Sequence, residues 1–81
     1  MPRYFFDVFD GEDISRDEVG IDLDHEDMAA EHAVAALPDM AHDELPDGPQ
    51  RDFWVKVRNG NGEYTFAADL KFKADWLKRR G

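Results

Sequence analysis

The sequence predicts a two-layer α+β domain: an antiparallel sheet of three to four strands with one Pro-kinked helix on one face, in the order ββαββ. Three observations carry this prediction. Residues 4–9, Tyr-Phe-Phe-Asp-Val-Phe, have the composition of a strand. Residues 53–58 and 64–72 alternate apolar and polar side chains around Asn59-Gly60-Asn61-Gly62, a doubled hairpin signal. Between them, residues 24–45 repeat apolar side chains at three- and four-residue spacing, the mark of an amphipathic helix. Strands and helix each have one apolar face, and stacking them as two layers buries both.

In the first strand, parity puts Tyr4, Phe6 and Val8 on one face and Phe5, Asp7 and Phe9 on the other. Asp10-Gly11 ends it, and residues 12–16 make a short returning strand whose single apolar member is Ile14. Asp17-Glu18-Val19-Gly20 fits a type I turn, after which Ile21 and Leu23 lead inward to the helix. Asp24 suits the N-cap, and Glu26 and Asp27 suit the positive end of the helix dipole. Ala30, Val34, Leu37, Ala41 and Leu45 form the apolar stripe, widened by Ala29, Ala33 and Met40. Pro38 removes one helical hydrogen bond and clashes with the carbonyl four residues back, so a kink is expected there, or a break that opens a second short helix. Pro46-Asp47-Gly48-Pro49 is a loop.

Phe53, Val55 and Val57 share one face of the next strand, and the alternation of Tyr64, Phe66, Ala68, Leu70 and Phe72 supplies its partner. The two turn signals allow registers two residues apart that keep the same faces together. The expected one sets Val57 against Tyr64 and Val55 against Phe66, because it brings Arg58 opposite Glu63. Trp54, Lys56, Arg58, Thr65, Lys71 and Lys73 then lie on the reverse side. Residues 1–73 form a single domain, and residues 74–81 a basic tail that continues the strand, makes a short helix or frays.

With 81 residues, 42% hydrophobic, 36% charged and no cysteine, the chain has room for one domain. Disulfides, thiolate zinc sites and thiol catalysis are excluded. No apolar run approaches the ~18 residues of a membrane span. The N-terminus lacks the basic-then-apolar order of a signal peptide, so a cytoplasmic location without membrane contact is expected. The net charge of −9 is uneven: residues 1–50 hold two bases against fifteen acids, and residues 51–81 hold eight against four. The halves attract one another, within a chain or between two, and the first half repels nucleic-acid phosphates. A core of this size is marginal, so the ten aromatics or an oligomer interface must supply stability.

The opening Met1-Pro2-Arg3-Tyr4-Phe5-Phe6-Asp7-Val8, then Asp10-Gly11 and Arg16-Asp17-Glu18-x-Gly20, resembles a family of small bacterial proteins of unknown function. The resemblance continues through the alanine-rich helix, Asp43-Glu44-Leu45-Pro46-Asp47-Gly48 and Asp52-Phe53-Trp54-Val55-Lys56-Val57, to about residue 72. It departs at Phe9, where that family often has histidine. The resemblance implies no activity and assigns no residue a role.

The residues themselves point away from catalysis. His25 and His32 are seven apart, roughly 10 Å along a helix, too far to share one metal. The acids at 7, 10, 12, 13, 17 and 18 lack the ligand spacing of a calcium loop. Asn59–Gly62 joins two strands rather than a strand to a helix, so it is not a phosphate loop. Ser15 and Thr65, the single serine and threonine, lie in no nucleophile motif. The reading is a non-enzymatic protein with no cofactor and no metal.

The outer sheet face offers more. Phe5, Phe9 and Trp54 point away from the helix and make an apolar patch that something should cover. The expectation is a second copy packed sheet to sheet, a homodimer, with an outside protein or the segment of Trp76 and Leu77 as other covers. The alternative is single-stranded nucleic acid stacked on Trp54 and held by Lys56, Arg58, Lys71 and Lys73, with Lys78-Arg79-Arg80 adding charge. The acidic first half and Asp7 oppose it.

Overall fold

The computed structural model describes residues 2–44 and 50–78. The chain forms β1 (Arg3–Phe9), β2 (Ile14–Ser15), β3 (Ile21–Asp22), α1 (Glu26–Glu44), β4 (Gln50–Arg58) and β5 (Tyr64–Lys73). All pairings are antiparallel, in the spatial order β2-β1-β4-β5, with β3 also on β1. The α+β class holds, but five strands in the order βββαββ replace the expected three to four in ββαββ. The additional strand is β3, whose Ile21 pairs with Tyr4. Two residues display no period, so local pattern could not reveal it.

The helix packs on the inner face of β4 and β5, where Phe53, Val55 and Val57 are fully buried. Its own buried residues are Ala29, Ala33, Leu37 and Ala41. Val34, expected in the stripe, is 52% exposed. The stripe is rotated because small alanines let the helix backbone approach bulky strand side chains closely, as core packing at crystal-like density requires. Leu37→Ala should therefore cost about 2–5 kcal/mol in urea unfolding, whereas Val34→Ala should fall within about 0.5 kcal/mol of the parent.

Nor does Pro38 break the helix, which runs on to Glu44. The hydrogen bond that proline cannot make would have reached the carbonyl of Val34, on the solvent side, where water can replace it. The expected loop at 46–49, Leu45 and the basic pair at 79–80 lie outside the described residues.

The hairpin register also differs from expectation. Val57 faces Phe66 and Val55 faces Ala68, while Arg58 faces Tyr64 across a β-bulge. Asn59 sets this arrangement. Its Oδ1 accepts from the backbone N–H of Asn61 (2.9 Å) and Glu63 (3.0 Å), and its own N–H donates to the Glu63 carbonyl. That closes the loop between 59 and 63, so Thr65 becomes the unpaired extra residue. Glu63 meets Asn59 Nδ2 rather than Arg58.

After β5, residues 74–76 are irregular and 77–78 form a bend, so no helix begins among the described tail residues. Trp76 and Leu77 are 78% and 99% exposed, which excludes the tail as a cover for the outer aromatics. The molecule is elongated, with a radius of gyration of 15.3 Å. A compact chain of this length would have about 12 Å.

Candidate functional site: the outer face of the sheet

Strand parity places Phe5, Asp7 and Phe9 of β1 on the face away from the helix, opposite Arg58, Lys56 and Trp54 of β4 respectively. Beside them, Ala67, Asp69 and Lys71 of β5 face Lys56, Trp54 and Asp52. The expected outward aromatics therefore do share one face. None is bare. The Phe9 and Trp54 rings stack at 5.7 Å between centroids, with Lys56 Nζ 4.7 Å from the indole centroid. Phe5 lies apart from this pair, under the Arg58 guanidinium at 4.9 Å and against Gly20. With φ of +76°, Gly20 adopts a conformation that L side chains rarely take, and a Cβ there would sit 2.9 Å from the Phe5 ring. The patch of three aromatics is thus a stacked pair and a separately covered ring.

At its centre lies a feature the sequence reading did not assemble. Arg58 clasps Asp7 with both ends of its fork, Nε to Oδ2 at 3.0 Å and Nη2 to Oδ1 at 2.9 Å. Arg58 Nη2 also donates to the Asp17 carbonyl at 2.7 Å. Asp7 further accepts the Tyr64 hydroxyl at 2.7 Å and the Asp17 N–H at 2.9 Å. The bulge at Thr65 turns Tyr64 to this face, so the irregular register completes the network. Asp7 is 3% exposed and Arg58 7%.

The Arg58 hydrogen bonds hold the Asp7 carboxyl far below its ordinary range, against the opposing effect of burial and with help from Asp17 N–H and Tyr64. Burial works to raise Asp17, yet the N–H groups of Phe6, Gly20 and Val19 outweigh it, and its carboxyl is lowered too. Asp17 Oδ2 accepts from Phe6 N–H at 3.0 Å, filling the gap between β2 and β3 on the free side of β1. Among the described residues no buried side-chain nitrogen or oxygen lacks a partner. An Asp7 whose lone pairs are engaged, and whose proton is held off so strongly, is a structural anion rather than a general base.

Arg58 therefore leaves the set proposed for nucleic acid: its charge is buried and spent on Asp7. Lys56, Lys71 and Lys73 remain exposed, interleaved with Asp52 and Asp69. What stands open is the β4–β5 half of the face, a shallow depression lined by Asp52, Trp54, Lys56, Ala67, Asp69 and Lys71. His32 lies on the other side of the sheet, its ring 6.2 Å from Phe6, and no cluster of three metal-ligating side chains occurs among the described residues. No helix among the described residues is long and apolar enough to cross a membrane.

The profile of a family described as Domain of unknown function (DUF6894) matches residues 3–71. No curated protein and no solved structure matches the chain.

Proposed function

The chain belongs to the DUF6894 family, a domain of unknown function, and from that premise we propose that it is a non-enzymatic protein-interaction module, self-associating through its outer sheet face. The observation that carries this reading is a sheet covered by a helix on one side, with Trp54 stacked on Phe9 at the border of an exposed half-face on the other. Stacked aromatics beside open surface are the composition of interface cores. The exposed half-face carries both signs, Lys56 and Lys71 with Asp52 and Asp69, so a second copy can meet it without facing a field of like charge. A small core in an elongated molecule gains stability from such an association by mass action.

Trp54→Asp puts a desolvated charge into the contact and should halve the particle mass measured by light scattering, with the far-UV CD spectrum unchanged. An unchanged mass, or a parent protein that is monomeric at high concentration, overturns the reading. The nucleic-acid alternative keeps Trp54, Lys56, Lys71 and Lys73 but loses Arg58, the cation with the geometry to clasp a phosphate.

A further inference from the structure

We infer that the open edge of β5 is a second, separate association site, at which two copies of this chain pair antiparallel into one continuous sheet. The edge is ten residues long, Tyr64–Lys73, and ends the strand order on the side away from β1. An edge of that length presents a row of unpaired backbone N–H and C=O groups, a template for strand addition.

The occupant follows from the side chains. Antiparallel pairing about a twofold axis through Leu70 sets Asp69 of each copy opposite Lys71 of the other, on the outer face. The inner face then brings Leu70 against Leu70 and Ala68 against Phe72. Sliding the register two residues one way opposes Asp69 to Asp69, and two the other way opposes Lys71 to Lys71. The second slide also sets Asp69 opposite Lys73, but of the three registers only the one about Leu70 puts no like charges directly opposite, and it is self-complementary. Because the axis passes perpendicular to the sheet, both helices stay on the same side and both outer faces on the other. The backbone edge and the outer face share Asp69 and Lys71 but are different surfaces, and neither inference requires the other.

The chain has no cysteine, so Leu70→Cys introduces a single thiol at the axis. Directly opposed antiparallel residues have Cα atoms about 4.5–5.5 Å apart, within disulfide range. Mild oxidation of Leu70→Cys should give a covalent dimer on a non-reducing gel, while Ile14→Cys, exposed at the far edge, controls for random collision. Adding Asp69→Lys should abolish the crosslink, and adding Asp69→Lys with Lys71→Asp should restore it. Trp54→Asp should leave the crosslink intact, which separates this inference from the outer-face reading. Crosslinking of Leu70→Cys no faster than Ile14→Cys, or a crosslink indifferent to Asp69→Lys, overturns it.

Discussion

Asp7→Ala is expected to destabilise the domain by about 3–5 kcal/mol, a large part of the roughly 5–15 kcal/mol that holds a small protein folded. The loss comes less from the missing attraction than from what stays behind. Arg58 remains 7% exposed with its charge unpaired, and Tyr64 and the Asp17 N–H lose their acceptor. Urea unfolding of the variant measures the cost directly. Replacing both partners, as in Asp7→Leu with Arg58→Met, should recover most of it, since a buried ion pair and an apolar pair of similar size often have comparable stability. A double variant as unstable as Asp7→Ala would show that the network contributes in some way other than by charge.

The same carboxylate sets an acid limit. Its pKa is lowered on folding, so its stabilisation is complete above the unfolded value of about 4 and is lost as pH falls toward the folded value. The parent should therefore lose stability steadily as pH drops below about 4. Asp7→Ala should show a shallower dependence, the remainder coming from Asp17, Asp22 and Asp10, which are lowered as well.

Phe53→Ala should cost a similar amount, about 3–5 kcal/mol, by a different route. Phe53 is fully buried in a cluster whose helical members are Ala29, Ala33, Leu37 and Ala41. Three of those four are alanines with no length to lean into the space, so the cavity stays open. Phe53→Leu should cost distinctly less, because its residual cavity is smaller. Equal destabilisation by the two substitutions in urea would show that the surrounding structure collapses onto the site.

Strands β1, β4 and β5 and the helix were legible because each carries several turns of its own period. Parity likewise placed Phe5, Phe9 and Trp54 on one face. The helix phase was not legible: alanines at 29, 30, 33, 35, 36 and 41 satisfy more than one stripe, and only the bulk of Phe53, Val55 and Val57 chooses between them. The register was hidden for another reason. Asn59 closes its own loop through its side chain, and the resulting bulge flips Tyr64, an effect that alternation does not encode. The ion pair joins residues 51 apart in sequence. One signal for it was present: a lone Asp7 amid aromatic side chains needs a cation, and Arg58 shares its face.

Asp17 bears on how large an assembly can become. Its carboxylate stoppers the far flank of β1, where β2 and β3 offer two residues each. Polymerisation by strand accretion needs two receptive flanks per subunit, and this sheet has one. A pair joined along β5 has used both of its long edges, so growth of the sheet by strand accretion stops at two copies.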